Sequence, residues 1–225
     1  MTTSEPRLRR ARGSYAATAA RRADIIEAAV EVFSKSGYVS ASLRDIADRL
    51  GVSHATLIFH FGTKGELLAA VLERSDEPYR AVLDSAAQAP VDFLAYVVEF
   101  FRLRSGPSAS SEMFLRLAVE AAEPPHPAHS YLTRRYRRLQ DTFTDVFHAL
   151  DESGLLRRSA DPAHLARVTI ALMDGLQVSA RYDPTRDGIA SDVEAQFAAV
   201  LNAEGRRQLA SCLERCGRGA SQTTD

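Results

Sequence analysis

The sequence predicts an all-α fold, a small N-terminal helix-turn-helix domain followed by a larger helical bundle. Three observations predict it. Apolar residues recur at steps of three and four along most of the chain, the period of a one-sided helix. No stretch of any length alternates apolar and polar residues as a half-buried strand does, and no repeat is present. Glycines, prolines and Ser, Thr or Asp caps fall where those helical runs start and stop.

Residues 1–20 are polar, small and basic, with Arg7, Arg9, Arg10 and Arg12 against the single acid Glu5, and read as a flexible arm. A helix begins at Arg21, with Ile26, Ala29, Val30 and Phe33 on one face and Gly37 placed to end it. Ser42 and Asp45 form a capping box for a short second helix whose apolar face is Leu43, Ile46, Ala47 and Leu50. Gly51 can take the positive φ that ends it, Ser53 caps a third helix, and Leu57 with Phe61 turns that helix inward. Two short capped helices around a glycine turn make a helix-turn-helix, whose second helix is the one laid into a DNA major groove. Ordinary packed helix pairs share this spacing.

A second capping box, Thr63-Lys64-Gly65-Glu66, opens a helix through Leu67, Leu68, Val71 and Leu72 to about Arg74, and Pro78 is expected to kink or restart it. Beyond Pro90, Phe93, Leu94, Tyr96, Val97, Val98, Phe100 and Phe101 cover most of a buried helix, broken at Ser105-Gly106-Pro107-Ser108. Met113, Phe114, Leu115 and Leu117 mark the next, ending near Pro124-Pro125. A long amphipathic helix from about Ala128 to Ser153 carries Leu132, Tyr136, Leu139, Phe143, Val146 and Leu150, and Gly154 ends it. Asp161-Pro162 caps another, through Leu165, Val168, Ile170, Leu172, Met173 and Leu176. A last helix carries Val193, Phe197, Val200 and Leu201 and continues through Leu209 and Leu213.

With 225 residues, 45% hydrophobic and 25% charged, the chain can bury a substantial core. Its net charge of −1 makes it no general electrostatic binder of nucleic acid, so the basic start matters more than the sum. Cys212 and Cys216 do not make a disulfide framework, and neither a membrane-spanning stretch nor a secretory leader is evident. A reduced, cytoplasmic protein that contacts no membrane is expected.

The run Gly51-Val52-Ser53-x-x-Thr56-Leu57-x-x-His60-Phe61-x-x-Lys64-x-x-Leu67-Leu68 closely resembles the N-terminal domain of the tetracycline-repressor (TetR) family of transcriptional regulators, over roughly residues 22 to 73. The segment Ala171-Leu172-Met173-Asp174-Gly175-Leu176 with Asp183-Pro184, and Gly154-Leu155-Leu156-Arg157 before Asp161-Pro162, resemble that family more loosely. The resemblance implies residues 21–77 as the DNA-binding domain, 78–216 as a ligand-binding and dimerisation domain, and 217–225 as a flexible tail. It implies a homodimer, with the seam near 162–181 and 192–215, that binds a palindromic operator and answers to an unidentified small-molecule effector, in most cases as a repressor.

For DNA, the resemblance implies base reading by Arg44, His54, Ala55 and Thr56, with Ser53 at the helix start. Arg44 suits a bidentate pair with guanine, or an ion pair with Asp48 on its own helix. Phosphate contacts are expected from Ser42, His60 and Lys64, Lys64 foremost because it joins a cation to a helix N-terminus. Ile58 stands where many family members have a tyrosine, so a usual phosphate anchor is missing; Phe59 can pack on sugar or methyl groups.

For an effector, Tyr96, Phe100, Phe101, Met113, Phe114, Phe143, Phe147 and Met173 are candidate apolar lining, although a packed core uses the same residues. Asp174 and Gln177, polar on an apolar helix, suit a ligand's polar end or the dimer seam. His126-x-x-His129 has a possible metal spacing but reads as a loop, and no motif for a cofactor or for catalysis appears. The alternatives are an architectural DNA-binding protein without a ligand and, less well supported, a helical enzyme.

Overall fold

A computed structural model describes residues 7–103, 109–158, 160–183 and 188–220. Among them the protein is helical, with ten α-helices and one 3-10 turn. Close contacts divide the chain into two units, residues 1–77 with 109–129, and residues 78–108 with 130–225. The segment 109–129, assigned to the second domain by sequence, therefore packs with the first.

In the first unit, α1 (Arg7–Ser40) starts well before Arg21, so the arm expected to be flexible is helical from Arg7. Residues 7–20 are rich in alanine and arginine, both strong helix formers, and contain no proline. At Gly37 the backbone leaves helical geometry with φ 74° and ψ 169°. Two short helices follow, α2 (Leu43–Leu50) and α3 (His54–Phe61), and then α4 (Lys64–Asp84). α4 runs on through Pro78 to Asp84 as one helix, so the proline at which a kink or a restart was expected does not restart it. α6 (Ala109–Glu120) lies along α1, and its Met113 and Leu117 are buried.

The second unit contains the 3-10 turn Ala86–Gln88, α5 (Pro90–Leu103), α7 (His129–Glu152), α8 (Pro162–Tyr182), α9 (Ile189–Val200) and α10 (Ala203–Ala220). Its core draws Phe93, Leu94 and Val98 from α5, Phe143, Val146 and Phe147 from α7, Phe197 from α9 and Leu209 from α10. Asp161 caps α8 by accepting from the Ala163 N–H, with Pro162 opening the helix. The expected break at 105–108 and Pro184 lie outside the described residues.

The last helix is two helices, not one. Between α9 and α10, Leu201 pairs with Leu156 in a short antiparallel bridge, flanked by Arg157 N–H donating to Val200 at 2.8 Å and Asn202 N–H donating to Leu155 at 2.9 Å. The Asn202 side chain then accepts from the Gly205 N–H at 2.9 Å and starts α10. Gly205 is required there, since a Cβ would stand 2.9 Å from the Leu155 carbonyl oxygen. α10 continues to Ala220, so residues 217–220 of the expected tail are also helical.

Candidate nucleic-acid interface

Both turns of the motif form as their local chemistry requires. Ser42 and Asp45 exchange the two bonds of the capping box, Asp45 N–H to Ser42 Oγ at 3.2 Å and Ser42 N–H to Asp45 Oδ2 at 2.8 Å. Donation from the Ser42 hydroxyl, with the Ser42 N–H beside it, holds the Asp45 carboxyl below its ordinary range. Gly51 takes φ 65°, and Val52 N–H reaches back to the Ala47 carbonyl at 3.0 Å. Ser53 caps α3 by accepting from Thr56 N–H, and Thr63 and Glu66 form the second box at the start of α4.

α3 buries Leu57 and Phe61 and turns Ser53, His54, Ala55, Ile58 and Phe59 outward. Its far end is held by Arg22, whose guanidinium donates to the His60 carbonyl at 2.6 Å and lies 4.0 Å from the centre of the Phe61 ring. A cation on the last carbonyls of a helix complements its dipole, so Arg22 fixes where α3 points. Nothing local to Arg22 in the sequence signals this role, because its partners lie some forty positions away. Arg44 is exposed, and among the described residues it forms no ion pair with Asp48.

The three residues expected at phosphates each have partners within the chain. Lys64 Nζ donates to the Tyr38 and Ala41 carbonyls at 2.7 Å each and to Val39 at 3.3 Å. An ammonium has three donors, and all three are spent on the chain leaving α1. Burial lowers the Lys64 pKa, against the opposing charges of Glu120 and Asp45. The Ser42 hydroxyl donates its proton to Asp45 Oδ2 at 2.7 Å. His60 is half-buried, edge-on to Phe59 with ring centres 5.2 Å apart, and Thr56 pairs with Ser53 through their hydroxyls at 2.9 Å.

Opposite Lys64 on the same short segment, the Glu120 carboxylate accepts from Tyr38 N–H at 2.9 Å and Val39 N–H at 3.4 Å. The His126 ring packs on Tyr38 at 4.9 Å, and its Nδ1 accepts from Ala128 N–H. His129 instead bonds the Ala121 carbonyl, and among the described residues no group of His, Cys, Asp and Glu could hold a metal. Nothing local to Glu120 in the sequence signals its role, because its partners are some eighty positions away.

The candidate ligand residues are distributed over both units. Met113 is fully buried and Phe114 half-buried on α6. Phe143 and Phe147 are 1% exposed and stack on one another in the core of the second unit, the packed-core alternative of the sequence reading. Tyr96, Phe101 and Met173 pack partly buried against that core, and Phe100 meets Tyr79 and Phe101 edge-on. Gln177 bonds the Met173 carbonyl of its own helix. Asp174 accepts from the Tyr136 hydroxyl at 2.9 Å, and burial raises the pKa of both groups. Arg135 beside them, also desolvated, was not anticipated. A surface groove of about 420 Å³ between Arg157, Arg158, Ala160, Leu165, Ala199 and Val200 contains none of the expected residues. Cys212, buried, donates to Asp92 at 3.1 Å, while Cys216 is exposed.

A capped helix, a positive-φ glycine and a second capped helix with an outward face are the working parts of a helix-turn-helix DNA-binding protein. The model for bacterial regulatory proteins of the tetR family matches residues 25–71, and that for the C-terminal part of BetI-type transcriptional repressors matches residues 92–204. The chain belongs to the TetR family, and it is a DNA-binding transcriptional regulator.

It is 27% identical over 186 residues to the transcriptional repressor KstR2 of Mycobacterium tuberculosis H37Rv, covering 80% of this chain and 90% of KstR2. It is 24% identical over 179 residues to the A-factor receptor protein of Streptomyces griseus, covering 79% and 61%. Among solved structures, the triclosan complex of SmeT, the repressor of a Stenotrophomonas maltophilia multidrug efflux pump, aligns with a TM-score of 0.71 at 23% identity, covering 83% of this chain and 94% of SmeT. No single helix among the described residues is long and apolar enough to cross a membrane.

Proposed function

We propose that this chain acts in the cytoplasm as a homodimeric repressor that places α3 of each subunit in the major groove of a palindromic operator and leaves it when a small-molecule effector binds. The outward face of α3 carries the reading. Leu57 and Phe61 anchor the helix, Arg22 fixes its end, and His54, Ala55, Ile58 and Phe59 remain for bases, with Arg44 on α2 for a guanine.

Acids outnumber bases over residues 21–77, so nonspecific attraction there is weak. Arg7, Arg9, Arg10 and Arg12 at the start of α1 supply the positive charge that residues 21–77 lack.

For the dimer, α8 leaves Val168, Ala171, Gly175, Val178 and Tyr182 exposed at alternating steps of three and four, a seam for a second copy. For the effector, the A-factor receptor is named for its ligand and SmeT was solved with triclosan, which supports a small-molecule effector here. Asp174, Tyr136 and Arg135 are its polar anchor.

Footprinting fragments selected from the organism's own DNA should show two-fold symmetric protection, with half-sites about 34 Å apart. A single half-site protected by a monomer would refute the dimeric reading. A hundredfold release by an effector requires about 2.7 kcal/mol of coupling, and by reciprocity operator DNA must weaken effector binding by the same factor. Calorimetry with and without operator measures it, and equal affinities would exclude the compound as an effector.

A further inference from the structure

We propose that Ile58 and Phe59 read thymine methyl groups, so that the operator half-site carries thymine beneath α3. This rests on α3 being the helix that enters the groove. α3 reads His54-Ala55-Thr56-Leu57-Ile58-Phe59-His60-Phe61 and contains no Arg, Lys, Asn, Gln, Asp or Glu, the side chains that pair with base edges through two hydrogen bonds or through charge. Its remaining polar groups are largely committed. The Thr56 hydroxyl is on Ser53, and His60 is half-buried with its carbonyl held by Arg22. His54 alone is polar and outward within the helix.

The rest of the outward face is apolar. Phe59 is 82% exposed and Ile58 42%, next to exposed Ala55. Phe59 and Ile58 each stand four positions, about one helical turn, after Ala55 and His54 respectively, so the four residues form a continuous patch. The inward side of α3 is already filled by Leu57 and Phe61, and Ile58 and Phe59 lie outside the buried core. A large apolar surface on a helix this short is explained by a partner that covers it. In a major groove the only apolar feature of the bases is the thymine C5 methyl. Hydrogen-bonded reading of guanine is then left to Arg44 on α2.

The test uses the full-length protein and removes nothing but that methyl. Half-sites are selected from random-sequence duplexes, and each thymine is then replaced by uracil, which keeps every hydrogen-bonding group. At one or more half-site positions wild type should bind the uracil duplex about fourfold more weakly per methyl, the transfer value of one buried methylene-sized group. Phe59→Ala and Ile58→Ala, at exposed sites, should fold as wild type, bind the thymine operator more weakly, and lose part of their sensitivity to uracil. Equal binding of thymine and uracil operators by wild type overturns the methyl reading while DNA recognition stands. Full uracil sensitivity in both variants overturns the assignment to these residues. Failure to select any preferred duplex takes down the DNA-binding role of α3 itself.

Discussion

Lys64 and Tyr38 meet twice: the ammonium donates to the Tyr38 carbonyl at 2.7 Å and lies 4.3 Å from the centre of its ring. The same nitrogen reaches Ala41, so one side chain at the start of α4 closes the backbone between α1 and α2. That segment leads directly into the helix-turn-helix, and Lys64 ties its carbonyls to the start of α4.

Lys64→Ala should therefore behave as a stability variant. Three carbonyls lose a charged donor, and a loss of about 1.5–3 kcal/mol in urea denaturation is expected. The slope of log affinity against log salt should stay as in wild type. A slope reduced by about one, with stability intact, would instead put this ammonium on a phosphate.

Gly37 faces the Glu120 carboxylate where a Cβ would stand, and its φ of 74° with ψ of 169° belongs to a region other residues avoid. Gly37→Ala should cost about 1–3 kcal/mol for the backbone alone, and more for the encounter. In a Glu120→Ala background the same change should cost less. Additivity of the two changes within about 0.5 kcal/mol would show that the residues do not meet.

Arg44→Ala removes an exposed side chain with no ion pair to Asp48 among the described residues. Stability should change by less than about 0.5 kcal/mol. Operator affinity should fall by about 1–3 kcal/mol, with preference relaxed at one base pair. Selection of the same consensus by wild type and variant would remove Arg44 from base reading.

Asp174 supplies a pH signature. Burial raises its folded pKa, so over the window from the ordinary carboxylate range up to that raised value the native state holds a proton that the unfolded chain has released. Stability from this group falls as pH rises through the window and levels off above it. Asp174→Asn keeps an oxygen for the Tyr136 hydroxyl and has no such titration, so its stability relative to wild type should rise with pH across the window. Urea midpoints from about pH 4 to pH 7 measure this. The opposite trend would mean that attraction to Arg135 outweighs burial.

What the sequence determined by itself is local. The Ser42–Asp45 and Thr63–Glu66 boxes, the Gly51 turn, the Ser53 cap and Asp161-Pro162 all join groups within five residues of each other, and all form. The inward pair Leu57 and Phe61 follows from helical period. Even so, local reading missed the helicity of residues 7–20, where propensity was outweighed by polarity. What only the tertiary structure decided joins residues far apart in the chain. Lys64 reaches Tyr38 across 26 positions, Tyr136 reaches Asp174 across 38, and Glu120 reaches Tyr38 across 82. The bridge between Leu156 and Leu201 likewise splits what sequence reads as one helix. A cap is selected by the few atoms beside it, so its residue types announce it. A lysine or glutamate has the same local sequence whether it is spent on a distant carbonyl, on a distant N–H or on solvent, and packing alone brings those partners within bonding distance.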